Sequence, residues 1–515
     1  MQDFLNNKRI AKNTLMLYCR TLVVTLVTLY TSRIVLQVLG VVDYGIYNVV
    51  GGVVLMFSFI SSTLSSASQR YIAFEIPRKD DQRLKETFSL IIIAFGCVSL
   101  ITFIGSEVIG VWFLNTHMNI PEERIVAANW VLQAAIFSFI LNIFTAPYMA
   151  VIIAHEQMDV YAYISIVDAF LKLITAFLLK VILYDSLIVY AALAFVCTLL
   201  ITTIFRYYCK CHYPESHYAF YYEPNRLIEI LYFAWWNMIG AIAGVLKGQG
   251  INIMLNIFFN PAVNAARAIA YQVNSAVNNL SQNLFSAIRP QITKSYSIGR
   301  VSRMHSLIFS GSRLSFCLMF TFALPIYIHA ERVLGYWLGA YPEYSVIFLK
   351  LVLINSLLEV FNMPLVSGLQ ATGDIKRLQQ IVSGVYLLNL PISFIFLKFG
   401  YEPEITLYVN MIIVLISMIP RLYLCHKYYK LDAYKYITGV LLRCLVVSII
   451  GFNVGSLLTL YINFENTLLN FTASVLLCII LAISLSLLFG INSRERSFVR
   501  ILLSKTDNNT YINYE

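Results

Sequence analysis

Long apolar stretches alternate with short polar ones along nearly the whole chain. Each apolar stretch is long enough to cross a hydrocarbon core of ~30 Å as a helix that rises ~1.5 Å per residue. The pattern therefore predicts fourteen membrane-spanning helices. The predicted spans are residues 13–39, 43–70, 87–114, 125–154, 160–182, 187–208, 227–258, 263–289, 305–330, 344–371, 377–397, 404–424, 436–462 and 466–489.

Predicted helix 8 (263–289) carries a stripe of polar residues spaced by three or four positions, which places them on one face. The stripe consists of Asn264, Arg267, Tyr271, Asn274, Ser275, Asn278 and Gln282. An unpaired polar group in hydrocarbon costs several kcal/mol, so this face must meet a wet cavity or a packed helix. Hydrogen bonding between helices is the alternative. We favour the cavity, because the stripe runs the whole helix and includes an arginine.

Predicted helix 7 (227–258) contains Lys247 within an apolar segment that is rich in glycine. Glycine weakens a helix and permits it to bend, so this segment is a candidate hinge. The hinge glycines are Gly240, Gly244, Gly248 and Gly250.

Composition and charge support a membrane protein. The chain has 515 residues, of which 59% are hydrophobic and 12% charged, and its mean hydropathy is +0.72. A soluble protein carries roughly twice this charged fraction. Twenty-four of the 37 Lys and Arg residues fall on one side of the predicted membrane and three on the other. This bias places both termini in the cytoplasm and explains the net charge of +10 without a nucleic-acid partner.

Little in the sequence suggests an enzyme, a metal or a cofactor. Cys209, Cys211 and His212 lie close together, but a zinc site needs more ligands at defined spacing. Every outer connection is short, which leaves no room for an extracytoplasmic catalytic domain. We therefore expect no catalytic residues, no metal and no cofactor.

The two halves of the chain resemble each other weakly. Pro147 and Pro364 align with a shift of 217, and the turns at 43–45 and 261–263 align with a shift of 218. The shift predicts an all-α polytopic protein of two six-helix lobes in parallel repeat, with two additional C-terminal helices. The predicted parts are an N-lobe (1–208), a cytoplasmic linker (209–226), a C-lobe (227–430), helices 13 and 14 (431–490) and a cytoplasmic tail (491–515).

Ionisable residues at membrane depth are functional candidates because their burial is costly. Five cations on predicted helices 1, 7, 8 and 9 have no obvious structural explanation, and we expect them to form a central cavity for a multivalent anion such as phosphate. They are Arg20, Arg33, Lys247, Arg267 and Arg313. The alternative is that some pair with carboxylates in the core. Asp168, four residues from Lys172, and Glu359 are candidates for ion coupling.

The segments Asn-Thr-Leu-Met-Leu-Tyr-Cys-Arg at 13–20 and Leu-Gly-Val-Val-Asp-Tyr-Gly-Ile-Tyr-Asn-Val-Val at 39–50 resemble the polysaccharide-transporter branch of the MATE-like flippase superfamily. This branch comprises the Wzx-type O-antigen and capsule flippases, which are related to the lipid II flippase. In the resemblance, Gly40 and Gly45 bracket an outer turn and Asp43 caps helix 2. Arg20, Arg33 and Lys247 match positions where relatives accept a pyrophosphate, and helices 13 and 14 would form a lateral path for the lipid tail.

The resemblance implies a bacterial inner-membrane protein that moves undecaprenyl-pyrophosphate-linked oligosaccharide from the cytoplasmic to the periplasmic leaflet. In this interpretation the basic residues hold the pyrophosphate and the polar stripe contacts sugar hydroxyls. Membrane lipids, a polysaccharide polymerase and chain-length proteins are the expected partners. A MATE-type multidrug or cation antiporter is the alternative, although its cavity should be acidic. A membrane polymerase or acyltransferase is less well supported.

Overall fold

A computed structural model describes residues 2–76, 80–155, 157–182, 184–228, 241–242, 244–372, 375–461, 467–492 and 496. These residues form helices, turns and connecting segments, with no strand among them. In the first half the helices are α1 (Gln2–Leu55), α2 (Ser58–Glu75), α3 (Asp81–Gly105), α4 (Val111–His117), α5 (Ile125–Ala154), α6 (Met158–Leu178), α7 (Ser186–His212) and α8 (Ile251–Phe258). In the second half they are α9 (Pro261–Ser297), α10 (Val301–Ile328), α11 (Ala330–Leu338), α12 (Ser345–Glu359), α13 (Asn362–Ala371), α14 (Ile375–Leu387), α15 (Asn389–Lys398), α16 (Ile405–Tyr429), α17 (Ala433–Tyr436), α18 (Leu442–Tyr461) and α19 (Thr467–Leu485).

Eleven helical segments in the described chain are long and apolar enough to cross a membrane. They match the predicted spans except in two places. Predicted spans 13–39 and 43–70 both lie partly in the long helix α1, and the second continues into α2. Predicted span 227–258 lies partly outside the described residues, and predicted span 263–289 lies in α9, which is too polar to be counted among the eleven. The all-α polytopic prediction is confirmed. The division into two six-helix lobes stays a prediction.

Helix breaks coincide with glycine and proline. Gly40 has a φ of +74°, a left-handed conformation that glycine adopts easily, and it kinks α1 where the outer turn was predicted. The second segment begins directly after Gly40, so Asp43 lies inside it and does not cap it. Pro364 has no N–H to donate to the carbonyl four residues earlier. The helix is interrupted just before it, between Glu359 and Asn362.

Among the described residues, four π-helical turns widen the helices locally. Each leaves carbonyl groups displaced from the regular hydrogen-bond ladder, and such turns are frequent at functional sites. The turns are Ser106–Gly110, Leu246–Gly250, Ile437–Leu441 and Ser486–Gly490.

The chain divides into two compact units. Unit 1 contains the chain up to Ala276, together with Leu334–Val352 and Gln379–Ile413. Within it α5 packs along α7, and α1 packs along α6. Unit 2 contains Val277–Val333, Leu353–Leu378 and the chain from Val414 on. Within it α10 packs against α18 and α19.

A single guanidinium group ties three helices of unit 1 together. Arg124, just before α5, donates from Nε to Asp43 Oδ1 of α1 at 2.8 Å and from Nη1 to Asp185 Oδ2 at 2.7 Å. Asp185 also accepts the backbone N–H of Leu187 and so caps α7. Partial burial raises the pKa of Asp185, but the Arg124 hydrogen bond and the two backbone N–H groups outweigh it and lower the pKa below its usual value.

A close backbone approach joins α1 to the start of α9. A Cβ built on Gly45 would lie 1.9 Å from the carbonyl oxygen of Pro261, so no larger residue fits without moving backbone. The turns at 43–45 and 261–263, which the repeat pairs with each other, therefore touch within unit 1.

We expect Arg124→Gln to lower the stability of the folded protein at pH 7 by about 1–3 kcal/mol, between the values for exposed and buried ion pairs. The folded pKa of Asp185 is depressed, so its stabilisation is present above the unfolded value of 3.8 and is lost as pH falls through the folded pKa. Thermal unfolding in detergent should show a difference between variant and wild type that shrinks below pH 4. An equal midpoint at pH 7 would contradict the clamp.

We expect Gly45→Ala to destabilise unit 1 strongly, because the new methyl group meets backbone that cannot rotate away. Gly51→Ala is the matched control, since it lies on the same helix and a Cβ there has nothing within 4 Å. Thermal midpoints of the purified variants measure both effects. Similar midpoints for the two variants would show that the approach to Pro261 is looser than described.

Candidate functional site

The polar stripe of α9 is divided between the two units. Residues of α9 up to Ala276 belong to unit 1 and those from Val277 belong to unit 2. Within each unit the stripe contributes to a cavity, and its function as one continuous binding face stays a prediction.

The cavity in unit 1 has a volume of about 430 Å³ and lies among α1, α7, α9 and the π turn before α8. Its polar lining consists of four tyrosines, four amide side chains, two serines and one arginine, and no carboxylate is found among its described lining residues. These polar residues are Ser32, Tyr44, Tyr47, Asn48, Tyr190, Gln249, Asn252, Arg267, Tyr271, Gln272 and Ser275.

Arg267 is the charged residue of this lining and is only 6% exposed. Its Nη2 donates to the carbonyl oxygen of Gly248 at 3.2 Å, and its guanidinium stacks over the Tyr271 ring at 4.3 Å from the centroid. The carbonyl belongs to the π turn Leu246–Gly250. Because a guanidinium has five N–H donors in a planar fork, one carbonyl bond leaves it able to bind an anion as well.

Tyrosine and amide side chains form the rest of the wall. The rings of Tyr47 and Tyr190 lie 4.6 Å apart at an angle of 54°. Asn48 donates to the Tyr44 carbonyl at 2.7 Å, and Gln272 donates to the hydroxyl of Ser32. These bonds hold the amides in place, and each amide carries further donors and acceptors for a ligand.

Asn264 lies in an amide cluster instead of the cavity. It is fully buried, and its Nδ2 donates to Asn252 O at 2.6 Å and to Asn252 Oδ1 at 3.0 Å. Its Oδ1 accepts from Asn256 at 3.3 Å. Here the alternative of hydrogen bonding between helices describes the stripe better, since these bonds join α8 to α9. Asn274 is also buried, at 6% exposure, and does not line the cavity.

Three of the five predicted cations lie elsewhere in unit 1. Arg20 donates to the Tyr161 hydroxyl at 3.3 Å and stacks over that ring. Arg33 approaches the carbonyl of Tyr336 at 3.5 Å. Lys247 lies in the same π turn as Gly248, with its Nζ 4.4 Å from the centroid of the Tyr386 ring. None of the three is among the residues that line the 430 Å³ cavity.

Arg313 belongs to unit 2, where it is 3% exposed and donates to the Gly439 carbonyl at 3.1 Å. Arg267 lines the 430 Å³ cavity of unit 1 and Arg313 lines a cavity of unit 2. A common anion site for the five cations stays a prediction.

The hinge glycines surround the π turn. Gly248 and Gly250 lie within it, Gly244 lies just before it, and Gly240 is outside the described residues. A Cβ on Gly250 would approach a side-chain methyl of Leu390 at 2.8 Å, which explains a small residue there by packing of α15. Hinge motion at these glycines stays a prediction.

The second half of the stripe lines a cavity of about 190 Å³ in unit 2. Asn278 and Gln282 of α9 meet Glu359 there, and Asn278 donates to the Ser356 hydroxyl at 3.2 Å. Glu359 is the last residue of α12, at the break before α13. A carboxylate therefore lies among hydroxyl and amide groups at an interrupted helix.

Asp168, the other candidate for ion coupling, is paired with Lys172. The Nζ–Oδ2 distance is 2.7 Å, and both side chains are partly exposed, at 58% for Lys172 and 31% for Asp168. The pair joins residues one helical turn apart, and a role of Asp168 in ion coupling stays a prediction.

Sequence reasoning missed the wall supplied by α1 and α7. Tyr44, Tyr47, Asn48 and Tyr190 line the cavity, but they stand among apolar neighbours and form no stripe. Three of these residues lie in the family motif at 39–50. The motif therefore marks part of the wall of this cavity.

Comparisons with known proteins agree with this structure. The family model described as "Polysaccharide biosynthesis protein" matches residues 10–296, more than half of the chain. No curated protein matches the sequence.

Several solved structures share the fold. The lipid II flippase MurJ, in an inward closed conformation, superposes with a TM-score of 0.71 at 11% identity over 96% of this chain and 100% of that one. An inward-facing multidrug resistance MATE family transporter of the MOP superfamily gives a TM-score of 0.66 at 12% identity, over 78% and 96% of the two chains. A MOP superfamily transporter from Pyrococcus furiosus, described as having a binding pocket of reverse polarity, gives 0.59 at 12% identity, over 82% and 96%.

These superpositions establish the fold, but at identities of 11–12% they do not identify the substrate. The predicted resemblance to Wzx-type flippases is confirmed, and the fold is that of multi-pass membrane transporters. The chain belongs to the polysaccharide biosynthesis protein family, with the fold of the flippases and transporters of the MOP superfamily.

Proposed function

We propose that this protein moves undecaprenyl-pyrophosphate-linked oligosaccharide, an O-antigen or capsule repeat unit, from the cytoplasmic to the periplasmic leaflet of the bacterial inner membrane. The observation that carries the proposal is the 430 Å³ cavity, in which the buried Arg267 is the charged residue of a wall made of tyrosines and amides. The family and fold support a flippase or related transporter.

The wall suits an oligosaccharide. Asn48, Gln249, Asn252 and Gln272 each offer a carbonyl acceptor and two N–H donors, which match sugar hydroxyls that both donate and accept. Tyrosine rings add flat apolar faces for the C–H surfaces of sugar rings, and their hydroxyls add further hydrogen bonds. A cavity of this kind holds a neutral polyhydroxylated group without covalent chemistry.

The arginine suits the phosphate of the carrier. Its planar fork binds phosphate oxygens in pairs, and a charge that is 6% exposed is screened far less than a surface charge. We place Arg267 first among the phosphate-binding candidates, with Arg20, Arg33 and Lys247 as further contacts during the transport cycle. Alternating access of the two predicted lobes would then carry the head group across while the prenyl chain stays in lipid.

The positive charge of the cavity lining disfavours the other candidate functions. A multidrug or cation antiporter needs acidic groups to hold cationic substrates, and the described lining of this cavity carries an arginine without a carboxylate. A polymerase or acyltransferase needs a general base positioned at the substrate. The lining residues include no histidine within the described structure.

We expect Arg267→Gln to reduce glycan export at least about tenfold, because a charge-assisted hydrogen bond is worth ~1.5–3 kcal/mol. Arg267→Lys keeps the charge but loses the fork, so its export should be intermediate. The measurement is surface glycan in a strain that lacks its own flippase and supplies the matched lipid-linked glycan.

Arg206→Gln is the matched control, since it makes the same substitution at an exposed position of α7. Protein abundance and thermal midpoint are measured for each variant. Wild-type export by Arg267→Gln at equal abundance would refute the cavity proposal and leave the family assignment intact. Failure of the wild type itself would refute the flippase proposal.

We further propose that a proton or Na⁺ couples to transport at Glu359. The motivating observation is its position at a helix break among Asn278, Gln282 and serine hydroxyls. We expect Glu359→Gln to abolish the response of transport to an imposed pH or sodium gradient in inverted vesicles. Glu343→Gln, at an exposed position before α12, should respond as the wild type does. An unchanged response in Glu359→Gln would place coupling elsewhere.

A further inference from the structure

A second and larger cavity lies in unit 2, and none of its lining residues lines the 430 Å³ cavity of unit 1. It has a volume of about 760 Å³ and is lined by α10, the start of α18 and the segment that follows α19. Three arginines line it, and no Asp or Glu is found among its described lining residues. The arginines are Arg313, Arg443 and Arg496.

Each of these guanidinium groups is held by a neutral oxygen. Arg313 donates to the Gly439 carbonyl at 3.1 Å, Arg496 donates to the Leu488 carbonyl at 3.1 Å, and Arg443 donates to the side-chain oxygen of Asn492. Gly439 and Leu488 lie in π turns. The bonds orient the three cations around one space without neutralising their charge.

Arg496 carries a donor that the described structure does not satisfy. Its Nε is buried and has no hydrogen-bond partner among the described residues. A buried donor left unmade costs about 1–3 kcal/mol, so a ligand oxygen at this position would be favoured. The bond from Arg496 to the Leu488 carbonyl uses only one N–H of the guanidinium group. It does not account for the buried Nε.

The rim of the cavity is apolar and open. Leu442 is 47% exposed, Leu488 62% and Phe489 46%, all beside the arginines. A free anion gains nothing from this rim, whereas an anion attached to acyl chains would bury them against it. The pattern therefore favours an amphiphile with an anionic head over a soluble ion.

The predicted topology places this cavity at the inner leaflet. Segments 290–304 and 425–435, which precede α10 and α18, and the segment after α19 all lie on the predicted cytoplasmic side. Basic pockets between membrane helices on that side are suited to anionic lipid head groups. We infer that Arg313, Arg443 and Arg496 form a binding site for the phosphodiester of an anionic phospholipid, separate from the transport cavity.

The test is lipid binding by the full-length protein, measured as bound lipid in native mass spectrometry and as a thermal shift. Phosphatidylglycerol should bind and stabilise the wild type more than phosphatidylcholine does. Arg443→Gln and Arg496→Gln should each weaken phosphatidylglycerol binding about tenfold, the effect of losing one charge-assisted hydrogen bond. Neither residue is buried as deeply as Arg313, so these variants avoid the substitution most damaging to folding.

Arg303→Gln is the matched control, because Arg303 lies on α10 near the same predicted leaflet but is exposed and does not line the cavity. It should bind phosphatidylglycerol as the wild type does. Equal loss in Arg303→Gln would show general attraction to an anionic surface and overturn the site. Equal stabilisation by inorganic phosphate would overturn the lipid and assign a soluble anion. Equal binding of both lipids would overturn the anion requirement.

Discussion

The structure depends on one constraint, which is that a backbone carbonyl released inside a membrane must find a donor in the protein. A carbonyl left unpaired in hydrocarbon costs several kcal/mol, because the core of the bilayer contains no water to donate a hydrogen bond to it. Among the described residues, an arginine donates to a backbone carbonyl at three π turns. Arg267 donates to the turn at 246–250, Arg313 to that at 437–441 and Arg496 to that at 486–490. Each of these three guanidinium groups is therefore fixed to a widened turn through a backbone carbonyl.

Hydrogen bonds to neighbouring helices also hold the polar helix α9. Asn264 donates to the carbonyl and the side chain of Asn252. Gln272 donates to Thr28 and Ser32, and Asn278 donates to Ser356. Each bond fixes α9 to a different neighbour within its own unit. What remains for a ligand is the set of atoms that these bonds do not use. A binding surface on such a helix is consequently assembled from partly occupied groups.

Hydropathy located most of the described membrane helices, because a helix needs about the same number of apolar residues wherever it crosses the hydrocarbon core. Glycine and proline located the kink at Gly40 and the break before Pro364 for the same local reason. The site was less accessible. Periodicity places Arg267 and Asn264 on one face of α9. It does not predict that Arg267 contacts Gly248 or that Asn264 contacts Asn252. Those partners come from α8 and the preceding turn, and their register depends on packing that no local pattern encodes.

Charge at membrane depth was therefore an incomplete guide to function. Arg267 and Arg313 share the same chemistry toward the backbone, and from the sequence they appeared equivalent. Their surroundings separate them. Tyrosines and amides surround Arg267, and such a wall favours a polyhydroxylated group next to a phosphate. Leucines and a phenylalanine line the edge of the cavity of Arg313, and such an edge favours a hydrocarbon chain next to a phosphate. A guanidinium that caps a carbonyl is already oriented and desolvated, so the ligand it then selects is decided by the walls of the cavity.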